Sequence, residues 1–169
     1  MKLYFLDFDR TLCAHEYVKK AAGPSTYFEE CLTVLNKEKF QLEYGGDVAP
    51  EYMKWYVKQL LADKDNQCFV LTHEIFNLRD GYKKDFAEKN YGLDRRNYLS
   101  VNSADHKVPM MLAMAESMGL NPYDCYLIDD SVSTLYEAER EEINGIHISN
   151  VMVMYEKHLA GQAAVKKGD

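Results

Sequence analysis

The residues best suited to chemistry sit at the ends of three apolar runs. Leu3-Tyr4-Phe5-Leu6 ends in Asp7-Phe8-Asp9, Phe69-Val70-Leu71 ends in Thr72, and Tyr126-Leu127-Ile128 ends in Asp129-Asp130-Ser131. Asp7 and Asp9 stand two apart, so a strand continued through them would turn both side chains to one face. Carboxylates gathered at one place repel each other and take up protons unless a cation intervenes. A set of hard oxygen ligands suits Mg²⁺. Such a cluster also needs a positive side chain if it is to accept a phosphate dianion. Lys107, just ahead of an expected helix, is the candidate, because its ammonium is a compact point charge.

For these groups to meet, the apolar runs must be neighbouring parallel strands. The chain reads as alternating strand and helix. Strands are expected at 3–8, 68–71, 98–101, 125–128 and 146–149. Between them come amphipathic helices. Asp47 and Pro50 announce one that carries Met53, Tyr56, Val57, Leu60 and Leu61 at helical spacing. Others are expected at 81–90, ending near Gly92, at 108–118, closed by Gly119, and at 135–142. A last helix is expected at 151–160, with 162–169 frayed. Short, fully apolar strands of this kind imply a parallel sheet covered by helices on both faces, the Rossmann-like α/β class. Ligands of such sheets sit at the carboxyl ends of the strands, where the acids and Thr72 lie.

The motif Asp7-Phe8-Asp9-Arg10-Thr11-Leu12 resembles the D-x-D-x-T signature of the haloacid-dehalogenase-like (HAD) phosphohydrolases. Thr72 matches the second motif of that superfamily, Lys107 the third, and Asp129-Asp130 the acidic fourth, all in the right order. The resemblance covers residues 3–149. It implies a HAD-like parallel sheet, an aspartyl-phosphate intermediate and one Mg²⁺ ion. Asp7 would be the nucleophile, and Asp9 the acid that protonates the leaving oxygen and then activates water. Thr72 and Lys107 would hold phosphoryl oxygens, with Thr11 and His73 beside them. The metal would fall to Asp7 and Asp129, with Asp130 direct or through water, joined by the backbone carbonyl of Asp9. Arg10 departs from the small or amide residue that many members carry. It is a candidate for a second anionic group on the substrate, and its charge bears on the acid Asp9.

The stretch 13–48 between the first two motifs is the expected site of a small cap or flap. It holds a helix at 26–39, started by Thr26 and Glu29 at capping-box spacing and flanked by Gly23-Pro24 and Gly45-Gly46. Tyr17, Tyr27 and Phe28 are its candidates for stacking on a substrate. The whole reads as one domain over 1–160.

Composition narrows the remaining choices. With 169 residues and 47% apolar content, one core is within reach. The net charge of −7 disfavours binding along a nucleic-acid backbone. A small phosphorylated metabolite or a nucleotide remains the expected partner; a nucleic-acid end has no support from charge. No apolar run is long enough to span a bilayer. The apolar start, interrupted by Asp7, is too short for a signal peptide. Cys13, Cys31, Cys68 and Cys125 show no paired spacing and read as reduced thiols of a cytoplasmic protein. The basic pairs Lys83-Lys84 and Arg95-Arg96 read as solvated faces. Two other functions share these features: a phosphotransferase or mutase with the same first half-reaction, and a non-catalytic phosphate-binding module. A receiver domain is a poorer fit, because its acid pair lacks D-x-D-x-T spacing and it has no room for 13–48.

Overall fold

Each face of the first strand feeds a different core, and this divides the molecule. The structure, a computed structural model, describes residues 1–15, 47–74 and 80–168. Strand β1 (Lys2–Leu6) turns Leu3 and Phe5 toward one helical layer and Tyr4 and Leu6 toward the other. The strands that follow are β2 (Ala14–His15), β3 (Asp47–Val48), β4 (Asn66–His73), β5 (Tyr98–Val101), β6 (Cys125–Asp129) and β7 (Asn144–His147). The helices are α1 (Glu51–Ala62), α2 (Asp80–Tyr91), α3 (Lys107–Ser117), α4 (Val132–Arg140) and α5 (Ile148–Gly168).

Five strands form one sheet in the order β5-β4-β1-β6-β7, and every pairing is parallel. Counted in chain order these strands run 3-2-1-4-5, the doubly wound arrangement that reverses direction at the first strand. The reversal leaves a crevice beyond the carboxyl ends of β1 and β6. Helices α1, α2 and α5 cover one face through Met53, Val57, Ala87, Tyr91, Val151 and Met152. Helices α3 and α4 cover the other through Val108, Met111, Ala115, Leu135 and Ala138. Burying one such aliphatic side chain stabilises the fold by about 1.5–3 kcal/mol. Aromatic pairs add register across the centre: Tyr4 stacks on Tyr126 at 4.6 Å and Phe5 on Phe69 at 5.3 Å.

The Rossmann-like class and the order of elements agree with the sequence; the boundaries shift. β4 runs two residues further at each end than its apolar heart, because a central strand carries polar ends as long as neighbours pair with it. α4 starts three residues early, since the Ser131 hydroxyl caps it by accepting from the Thr134 amide. The last helix reaches Gly168, past the expected stop at residue 160. Ala163, Ala164 and Lys166 are good helix formers and carry it beyond Gly161. The short antiparallel pair β2–β3, Ala14 opposite Val48, was not expected. It pairs the described residues on either side of segment 16–46. The expected helix at 26–39 and Tyr17, Tyr27 and Phe28 lie outside the described residues. No described helix is long and apolar enough to cross a membrane.

Candidate active site

The chain leaves β1 through a tight loop that aims Asp7 into the crevice. The Asp7 amide still donates to the Ile128 carbonyl at 2.9 Å, extending the ladder with β6 by one residue. Beyond it the backbone turns: Arg10 takes φ 64°, a left-handed conformation uncommon for a residue with a side chain. The Cys13 amide closes the turn on the Phe8 carbonyl at 2.9 Å, and the Tyr91 hydroxyl donates to the Leu12 carbonyl from α2. β6 delivers Asp129 and Asp130 beside this loop, and α3 delivers Lys107 from its first residue.

Lys107 is the hub of the cluster. Its buried ammonium donates to Asp7 Oδ1 at 2.7 Å and to Asp129 Oδ2 at 2.8 Å. The other oxygen of Asp7 accepts from the Thr11 hydroxyl at 3.3 Å, and that of Asp129 from the Ser131 amide at 2.8 Å. Asp130 faces the Arg10 guanidinium, Nε to Oδ2 3.2 Å. One oxygen each from Asp7, Asp129 and Asp130 lies within 4.8 Å of the others. Three carboxylates against two cations leave one net negative charge in a buried place.

The protonation equilibria register that imbalance. Burial, then the Asp7 charge, raises the Asp129 carboxyl to about 6, against the pull of Lys107. Burial and Asp7 likewise raise Asp130 to about 7, and Arg10 only partly offsets them. Burial disfavours the Lys107 ammonium, yet Asp7 and Asp129 outweigh it and hold its pKa above the ordinary lysine value. Burial lowers His147, whose Nε2 lies 3.2 Å from the Asp130 carbonyl.

A cleft of about 230 Å³ opens onto these groups, lined by Asp7, Asp9, Lys107, Asp129 and Asp130, with Arg10 and His73 among its walls. Two larger hollows, between α3 and α4 and along α5, have no such buried group of acids and cations.

The other sequence candidates take different positions. Asp9 borders the cleft, but its carboxylate pairs with Lys83 at 3.0 Å and is not in the three-acid group. Thr72 is fully buried and accepts from Lys83 at 2.9 Å; it is not among the cleft-lining residues. Thr11 is also buried and braces Asp7. The His73 ring contacts the Asn102 carbonyl at 3.0 Å on the exposed rim. Arg10 turns to Asp130 rather than to Asp9.

Lys83 is the residue that sequence reading missed. Expected on a solvated face, it has no exposed surface. Its ammonium reaches Asp9, Thr72 and Glu74, the last at 2.6 Å, and lies 5.2 Å from the centre of the Phe8 ring. The signal was its spacing: Lys83, Ala87 and Tyr91 fall four apart on the face of α2 that meets the sheet.

No family model matches the sequence, and no curated protein matches it. The fold has clear relatives among solved structures. A haloacid dehalogenase-like family hydrolase from Xanthomonas campestris superposes with a TM-score of 0.56 at 12% identity, over 87% of this chain and 81% of that one. A HAD family hydrolase from Deinococcus radiodurans R1, with bound phosphate and sodium, gives 0.53 at 12% identity over 86% and 79%. The likeness of its five-stranded parallel sheet to these proteins, at such coverage, makes this a chain of the haloacid-dehalogenase-like fold.

Proposed function

We propose that this protein is a Mg²⁺-dependent phosphohydrolase that cleaves a phosphomonoester through a phosphoryl group carried on Asp7. One observation carries the reading. Asp7, at the end of the central strand, shares the Lys107 ammonium with Asp129 and meets Asp130 within ion-binding distance, at the mouth of the cleft.

The donor set fits a magnesium ion. Asp7, Asp129 and Asp130 offer hard oxygens, and their residual negative charge and raised carboxyl pKa values mark a place that gains from a dication. The Asp9 carbonyl is the further ligand proposed from the family pattern. When bound, the ion would neutralise charge on the phosphoryl oxygens. Lys107 would neutralise more of that charge and hold Asp7 in its orientation.

The chain's own residues then account for two half-reactions. An Asp7 carboxylate oxygen attacks phosphorus, the bond from phosphorus to the leaving oxygen breaks, and the Asp9 carboxyl gives that oxygen its proton. Water next attacks phosphorus, and the Asp9 carboxylate takes the water's proton. The bond to Asp7 breaks, releasing inorganic phosphate and restoring both aspartates. The net change is hydrolysis of one phosphomonoester. Thr11 holds Asp7 in place throughout, and Arg10 keeps Asp130 turned toward the cluster.

That the Deinococcus radiodurans fold neighbour has phosphate bound supports phosphate as a ligand here. A cytoplasmic setting is supported by the buried free thiols of Cys13, Cys68 and Cys125. The test is release of inorganic phosphate from a panel of aryl, sugar and nucleoside phosphates, with and without Mg²⁺. Turnover that vanishes with chelator and with Asp7→Asn is expected. Undiminished turnover in excess chelator overturns the reading.

A further inference from the structure

We propose that Lys83 is a positioning residue for proton transfer: it fixes Asp9 where the leaving oxygen and the attacking water must be met. The inference rests on the phosphohydrolase reading above and adds a residue that the D-x-D-x-T pattern does not contain.

A lysine ammonium has three protons to donate. In Lys83 all three are directed: to Asp9 Oδ2 at 3.0 Å, Thr72 Oγ1 at 2.9 Å and Glu74 Oε2 at 2.6 Å. These acceptors lie at or just beyond the carboxyl ends of β1 and β4, so one side chain ties together the ends of two paired neighbouring strands. Nothing of Lys83 is exposed, so water does not compete for these bonds, and charge-assisted bonds in such a place hold geometry firmly. The Phe8 ring below the ammonium restricts it further. Asp9, by contrast, keeps a quarter of its side chain accessible and borders the cleft. A short carboxylate at a cleft edge has rotamers to choose from, and Lys83 selects one of them. Because Thr72 accepts from Lys83, its own hydroxyl proton is left to donate to a different acceptor.

Lys107 and Lys83 therefore divide the labour. The first serves the nucleophile and the metal ligands, and the second serves the acid and base. Glu74 balances the second cation, so that Lys83 is not held by Asp9 alone.

Leaving-group dependence separates positioning from mere structural support. A good leaving group, such as p-nitrophenolate, departs without a proton; an alkoxide needs one. The experiment measures kcat/KM of Lys83→Met on p-nitrophenyl phosphate and on a simple alkyl phosphate, each against the parent protein. The alkyl rate is expected to fall about tenfold to a hundredfold more than the aryl rate, within the range that a positioned acid contributes. In an Asp9→Asn background, Lys83→Met should leave the aryl-to-alkyl ratio where Asp9→Asn alone puts it. Lys83→Met/Glu74→Gln, which leaves no lone Glu74, is measured alongside and should show the same ratio. Equal loss on both substrates overturns the proposal, and so does failure of both variants to fold, since Lys83 is then structural. Loss of the underlying reading looks different: the parent would lack turnover, or would keep it in Asp7→Asn.

Discussion

Replacing Lys107 by methionine tests how the acid cluster is held. The substitution keeps the length and the apolar stem of the side chain but removes the ammonium that bonds Asp7 at 2.7 Å and Asp129 at 2.8 Å. Both carboxylates are buried, so each would lose its strongest neutralising partner with little water to replace it. Breaking a buried ion pair by deleting one partner costs about 3–5 kcal/mol. In a chain of 169 residues each kcal/mol moves Tm by roughly 2–4 °C. The expected fall is thus about 6–20 °C at mildly alkaline pH. Mg²⁺ neutralises the same oxygens, so saturating Mg²⁺ should return a large part of the loss and should stabilise Lys107→Met more than the parent. Differential scanning calorimetry of both proteins, with Mg²⁺ and with chelator, gives the comparison. A Tm unchanged by the substitution, or a Mg²⁺ response no larger than that of the parent, refutes the reasoning.

Further outcomes follow from the same groups. Asp7→Asn should abolish phosphate release while circular dichroism shows the fold intact, because the amide matches the shape but not the nucleophilicity of the carboxylate; retention of more than a small fraction of the rate places the nucleophile elsewhere. Burial and the Asp7 charge raise the folded-state pKa values of Asp129 and Asp130 to about 6 and about 7, above the ordinary carboxylate range, so the fold favours their protonated forms. Their unfavourable contribution is greatest above pH 7 and is relieved as pH falls through 7 and 6, so the Tm gain from Mg²⁺ should shrink between pH 8 and about pH 5.5. A gain that grows on acidification contradicts this. Burial pushes the Cys68 thiol up to about 12 and, with help from Asp124, Cys125 up to about 11. Iodoacetamide at pH 8 should label these positions only after denaturation, as peptide mapping would show.

The sequence foretold the sheet and the convergence of Asp7, Asp129, Asp130 and Lys107 because those features are local. Apolar runs with polar ends declare buried strands, and parallel neighbours must bring such ends together. What it did not foretell depends on contacts across the chain. One partner of Asp9 is Lys83, 74 residues away, hidden in a helix whose polar composition masks its buried face. Arg10 stands next to Asp9 in sequence, yet the positive φ of its backbone sends the guanidinium to Asp130. The β2–β3 pair rests on two residues from each side, too few to leave a periodic trace. The motif placed Thr11 and Thr72 beside the substrate, and it carried no sign of their bonds to Asp7 and Lys83.

The central claim is that Asp7 carries the phosphoryl group. Asp9→Asn should retard the second half-reaction, so it is the protein to use with Mg²⁺ and a good aryl phosphate. Rapid acid quench followed by peptide mass spectrometry locates the phosphoryl group. One hydroxylamine-labile phosphoryl group is expected on the peptide containing Asp7, formed as fast as the aryl product is released. A phosphoryl group on a histidine or serine, or none while the aryl product is released in a burst, contradicts it.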